Sequence, residues 1–162
     1  MKINPIYKKI IPYIVVIIIA GVAGFLFTGT VYPENPNLKS YFDKICEMPF
    51  TETYFPSPET FWVLGGDCDD RAHVFKNYLI SIGAKDVQIC WMNKIIDGKM
   101  VQVSNGDWGH QFILWNGRVY NPSHNPDSRF YNAALSEYLE YVKKKYGYNV
   151  LYYENSSQVT KF

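Results

Sequence analysis

Three side chains of this sequence have the types from which a nucleophilic site is built: the thiol of Cys68, the imidazole of His110 and the amide of Asn121. A cysteine acts as a nucleophile when an imidazole shares or removes its proton, and a further polar group orients the ring. Cys68 sits in Gly65-Gly66-Asp67-Cys68-Asp69-Asp70-Arg71-Ala72-His73-Val74-Phe75, where a glycine pair hands over to a helical pattern. Ala72, Phe75, Leu79 and Ile82 recur at three- and four-residue steps and so share one face, and Gly83 suits a left-handed cap. The spacing predicts a mostly buried helix of about four turns with Cys68 in its first turn. Free backbone N–H groups there favour a thiolate by about 0.3–1 kcal/mol. Asp67, Asp69 and Asp70 cap that helix start but oppose a thiolate, so a reactive Cys68 needs a cationic partner from elsewhere. That partner is His110.

Turn chemistry gives a test of whether His110 and Asn121 meet. Asn116-Gly117 is a strong two-residue hairpin sequence, joining strands over Gly109 to Trp115 and Arg118 to Tyr120. With that pair as the loop, Trp115 faces Arg118, Leu114 faces Val119 and Phe112 faces Asn121. Alternation then puts His110, Phe112 and Leu114 on one face with Val119, Asn121 and Ser123. Asn121 becomes the diagonal neighbour of His110, about 7–8 Å away between Cα atoms and within side-chain reach. Pro122 must close the ladder at an end or an edge.

Other titratable groups fit this picture less well. His73 with Asp69 or Asp70 has no second cysteine or histidine at zinc-site spacing, so neither a metal nor a cofactor is expected. His124, in an Asn/Pro/Ser-rich loop, reads as solvated, while Asp107 and Asp127 are alternative orienting groups for His110. Tyr131, Tyr138, Tyr141, Tyr146 and Tyr148 read as packing residues, with some lining a groove. Cys46 and Cys90 either bridge or stay as two buried free thiols.

The elements that must hold these residues follow from periodicity. Asn37 to Met48 is helical, with Leu38, Tyr41, Phe42 and Ile45 on one face. Ser57-Pro58-Glu59 starts a short helix through about Leu64, and the Cys68 helix follows. After Gly83 the pattern becomes extended: strands near Val87–Met92 and Met100–Val103 flank an Asp97-Gly98 turn, ahead of the Asn116-Gly117 hairpin. Tyr131 to Tyr146 returns to helix with Leu135, Tyr138, Leu139 and Val142 as its stripe, Gly147 ends it, and Asn149–Tyr153 adds a strand. Helices followed by a meander make an α+β fold.

The N-terminal stretch is of another kind. Ile10 to Val31 carries no charge, and its first 18 residues are nearly all apolar. As a helix they would reach about 27 Å, close to the thickness of a bilayer's hydrocarbon core. Lys2, Lys8 and Lys9 precede the run, which places that end in the cytoplasm and the remainder outside. Residues 1–31 are thus expected to be a membrane anchor, with a cleaved signal peptide as the alternative, and 32–162 an extracytoplasmic domain. A net charge of +1 gives no sign of nucleic-acid binding.

Taken together, Gly66-Asp67-Cys68-Asp69-Asp70-Arg71-Ala72, the helix through Ile82-Gly83-Ala84, Gly109-His110-Gln111-Phe112 and Tyr120-Asn121-Pro122-Ser123 resemble the transglutaminase-like cysteine-enzyme superfamily. The resemblance covers roughly Ser57 to Ser123. It implies a papain-like fold in which a helix carrying Cys68 packs on an antiparallel sheet carrying His110 and Asn121. The superfamily usually has Asp where this chain has Asn121, as papain-type peptidases do, and often an aromatic residue where Arg71 stands. What the resemblance implies is a membrane-anchored cysteine hydrolase or acyltransferase acting on peptide or isopeptide amide bonds. Peptide or protein substrates, cell-wall peptides among them, would pass through a thioacyl intermediate. His110 would hold the thiolate as an ion pair and then protonate the leaving amine. The oxyanion would take the Cys68 backbone N–H and one side-chain donor, Gln111 or the indole of Trp62. The alternative from another class is a non-catalytic surface binding module that keeps the fold.

Overall fold

A computed structural model describes residues 36–52, 58–104, 106–154, 156 and 159–162. The expected anchor over residues 1–31 and the Ser57 cap lie outside the described residues. Among the described residues no helix is long and apolar enough to cross a membrane. In chain order come α1 (Pro36–Glu47), α2 (Pro58–Leu64) and α3 (Cys68–Ser81), then β1 (Gln88–Ile96), β2 (Lys99–Val101), β3 (Gly109–Trp115) and β4 (Arg118–Asn121). A 3₁₀ turn (Pro126–Ser128), β5 (Phe130–Ala134), α4 (Leu135–Tyr146), β6 (Val150–Tyr153) and β7 (Val159–Lys161) complete the fold. The class is α+β, built on a seven-stranded antiparallel sheet of order β5-β4-β3-β1-β6-β7, with β2 paired to β1.

The hairpin that carries His110 and Asn121 has the expected register. Leu114 pairs with Val119 and Trp115 with Arg118. Asn116 and Gly117 both take positive φ, 52° and 71°, the backbone that matches the twist of the strands they join.

Alternation along β1 and β3 sends apolar side chains to both faces of the sheet. Ile89, Ile113 and Tyr120 form one core with Leu38, Phe42 and Ile45 of α1, Phe61 of α2, and Ala72, Phe75 and Leu79 of α3. Cys90, Met92, Phe112 and Val119 form the other with Tyr138 and Val142 of α4 and with Leu151. Cys46 belongs to the first core and Cys90 to the second; both are free, so the bridged alternative is excluded and two buried thiols stand.

One expectation needs correction. The helix read from Tyr131 begins only at Leu135, because Phe130–Ala134 is a strand. Arg118 pairs with Ala134 and Val119 with Ala133, so the free edge of β4 is covered. Asn132, at φ 56°, adopts a backbone that no right-handed helix continues through. Val159–Lys161 pairs with β6 as a further strand; its residues are all exposed, so no alternation in the sequence marks it.

Candidate active site

The start of α3 is shaped by backbone needs before any chemistry. Gly65 takes φ +80°, and a Cβ there would lie 2.0 Å from the Pro49 carbonyl oxygen, so only glycine passes. The next residue's N–H donates to that same oxygen at 3.1 Å. Asp67 is the N-cap: its Oδ1 accepts from the N–H groups of Asp69 at 2.9 Å and Asp70 at 3.3 Å. Asp70 Oδ2 returns the favour to the Asp67 N–H at 3.2 Å, completing a capping box. Two of the three carboxylates that oppose a thiolate are therefore parts of the cap.

Arg71, the nearest cation in sequence, is not the thiol's partner. It is 2% exposed, and its guanidinium donates to the carbonyls of Gly66 at 3.1 Å, Met48 at 2.7 Å, Pro49 at 2.9 Å and also Ile45. It closes the C-terminal end of α1 onto the start of α3. Arg129 does the same from the other side, donating to Cys46, Ser123 and His124 carbonyls. Both cations reach carbonyls at the C-terminal end of α1, where positive charge is favoured.

Cys68, His110, Gln111 and Asn121 line one cleft of about 930 Å³, together with Asp67, Asp69, Asp107, Trp91, Trp108, and four tyrosines of α4 and its flank. Burial pushes the Cys68 thiol up to about 12, with Asp69 and Asp67 adding to the rise and the Gln111 backbone N–H opposing it. The Cys68 thiol donates to Asp69 Oδ1 at 3.6 Å. Burial, with Asp67 beside it, raises the Asp69 carboxyl in turn.

His110 Nε2 lies 3.0 Å from Asn121 Oδ1. The amide's orientation is fixed from its other end, because Asn121 Nδ2 donates to the Ser128 carbonyl at 2.6 Å. Oδ1 therefore accepts, Nε2 carries the proton, and Nδ1 is left as the basic nitrogen. Asn121 is 2% exposed, so this pairing has little competition from water. Burial lowers the His110 pKa, while the Asn121 bond and the charges of Asp107 and Asp67 draw it back up. Neutral thiol and neutral imidazole are thus the favoured resting forms. Burial disfavours the charges of the ion pair expected from the sequence, and the Cys68 thiol's hydrogen bond runs to Asp69.

The remaining candidates divide clearly. Trp62 is not among the residues of the cleft; it packs edge-on to Tyr41 and Phe61, with Lys44 over its ring. Gln111, by contrast, lines the cleft. Neither Asp107 nor Asp127 is hydrogen-bonded to His110; Asp107 lines the cleft, and Asp127 is exposed within the 3₁₀ turn. His124 is not simply solvated, since its Nδ1 meets the Met48 carbonyl at 3.0 Å and ties its loop to α1. His73 is exposed and stands apart from the thiol. Ligand atoms of Asp67, Cys68 and Asp69 lie within 4.8 Å of one another, but Asp67 Oδ1 already serves two N–H groups of the cap. Ser128 escapes prediction because it acts through its backbone carbonyl, which no residue type signals, whereas Tyr138, Tyr141, Tyr146 and Tyr148 line the cleft as a groove reading of the tyrosines allows.

No family model, curated protein or solved structure matches this chain.

Proposed function

We propose that the chain is a cysteine hydrolase or acyltransferase of the transglutaminase-like kind, acting on peptide amide bonds through a thioacyl intermediate. The observation that carries this reading is the Ser128–Asn121–His110 relay, which leaves Nδ1 as the basic nitrogen of an imidazole lining the same cleft as Cys68, at a capped helix start. Because both groups rest neutral, His110 Nδ1 takes the thiol proton as sulfur bonds the carbonyl carbon. The same proton passes to the leaving amine as the C–N bond breaks. Water as acceptor completes hydrolysis, and an amine completes transfer. The uncharged stretch from Ile10 to Val31 would hold this domain at a membrane, facing outward.

The second reading, a binding module without turnover, has one observation in its favour: the Cys68 proton is given to Asp69 and not to His110. Chloroacetamide labelling separates the two. Cys46 and Cys90 are fully buried, so preferential labelling of Cys68 would by itself reflect only exposure. The decisive variant is His110→Ala. In an enzyme it slows Cys68 labelling and 4-nitrophenyl acetate cleavage at neutral pH by roughly 10²–10⁴-fold. A binding module would label equally fast with and without the imidazole.

A further inference from the structure

Tyr138 lies on the face of α4 that packs against the sheet, its ring held edge-on by Phe112 and Phe130, each with ring centres 4.9 Å away. The residue is fully buried, yet its hydroxyl has no hydrogen-bond partner among the described residues. A phenol O–H withdrawn from water and left unpaired is unfavourable, and folded chains normally satisfy such a group. The neighbouring tyrosines show this: Tyr141 donates to the Asp127 carbonyl at 2.5 Å, and Tyr146 meets Ser128 Oγ at 2.6 Å. Tyr138 also lines the cleft, near enough to Cys68 for a charge on the sulfur to act on it. It makes no hydrogen bond to that sulfur, although both residues line the same cleft. At the helix start, Asp67 takes the N–H groups of Asp69, Asp70 and Arg71 and leaves that of Cys68 uncommitted.

From this placement we infer that the Tyr138 hydroxyl is the side-chain donor to the oxygen of the carbonyl that Cys68 attacks, working with the Cys68 backbone N–H. This rests on the cysteine acyl-transfer reading and puts Tyr138 in the role for which the sequence offered Gln111 and Trp62. As sulfur adds to the carbonyl carbon, the π electrons move onto oxygen, and a pre-placed neutral O–H meets that charge without reorganising. Burial, with Tyr148, Cys68 and the other tyrosines around it, raises the phenol's pKa and keeps it protonated, and so a donor. When the intermediate collapses the carbonyl re-forms, the amine leaves with the His110 proton, and Tyr138 keeps its own.

Two small probes separate this role from a structural one. 4-Nitrophenyl acetate acylates Cys68 through an oxyanion, whereas chloroacetamide alkylates it at a saturated carbon and forms none. In Tyr138→Phe, which keeps the ring and deletes only the unpaired hydroxyl, acylation should fall roughly a hundredfold while alkylation stays within about twofold. The melting temperature should hold or rise, since an unsatisfied buried group has been removed. Equal loss in both reactions would assign Tyr138 to packing or thiol activation and overturn the proposal. So would no loss in either. A different failure marks the underlying reading: if Cys68→Ala releases nitrophenol as fast as the unaltered chain, the acyl-transfer site itself is gone, and the Tyr138 assignment with it.

Discussion

Asn121 meets two demands at once: it accepts from His110 with Oδ1 and donates to the Ser128 carbonyl with Nδ2. A carboxylate satisfies the first and opposes the second, which accounts for an amide at this position. The Asn121→Asp variant should therefore be less stable at neutral pH by about 1–3 kcal/mol, the cost of setting an acceptor against a buried carbonyl. Repulsion from that carbonyl raises the introduced carboxyl's pKa. The deficit should narrow as pH falls and the protonated form can donate to Ser128. Urea denaturation at several pH values reads this directly, and a variant as stable as the original at pH 7 would contradict it. The His110–Asn121 pair was legible because a two-residue turn fixes which side chains face each other. Ser128 was not, because it sits in a 3₁₀ turn without periodicity and acts through its backbone.

At the scale of elements, the thiol's position depends on how the chain enters α3. Gly65 and Gly117 both need positive φ, at 80° and 71°, but differ in their surroundings: a Cβ at Gly117 meets nothing within 4 Å, and one at Gly65 collides with Pro49. Gly117→Ala should cost about 1–2 kcal/mol, the backbone strain alone. Gly65→Ala should cost about 1–3 kcal/mol more, because Pro49 must move. Pro49 also accepts from Arg71, so that shift should change the chloroacetamide rate at Cys68, which Gly117→Ala leaves alone. Equal melting temperatures for the two variants would contradict the argument. The sequence revealed α1, α3 and the central hairpin because each buries a regular stripe. It hid β5 because every residue of Phe130–Ala134 is only half-buried, and the Tyr131, Leu135, Tyr138 spacing continues the helical pattern behind it. The buried Arg71 was equally hidden, since a cation inside a helix ordinarily reads as solvated.

On the scale of the whole domain, a sheet with cores on both faces needs its layers held in register, and one ion pair joins the helical layer to the sheet. Lys76 of α3 donates to both carboxylate oxygens of Glu154, just past β6, each at 2.6 Å, and Glu154 Oε2 also accepts from the Ile89 N–H at 3.0 Å. Burial alone would raise the Glu154 pKa, but Lys76 and the Ile89 N–H outweigh it and the net shift is downward. A carboxyl depressed in the folded state contributes stability that is fully present above its unfolded value, about 4.3, and is lost as pH falls through the folded one. His110, also depressed, binds its proton more weakly folded than unfolded. Its contribution is present above about 6.5 and is lost as pH falls from there toward the folded value. Acid should therefore weaken the domain in two stages, the first beginning below pH 6.5 and the second below about 4.3. Glu154→Gln keeps an acceptor for the Ile89 N–H but loses the charge facing Lys76. It should cost about 1 kcal/mol at pH 7, keep the first stage unchanged and flatten the second. Urea midpoints from pH 8 to pH 3 for both proteins test this, and parallel curves across the whole range would show that Lys76 and Glu154 do not hold the layers together.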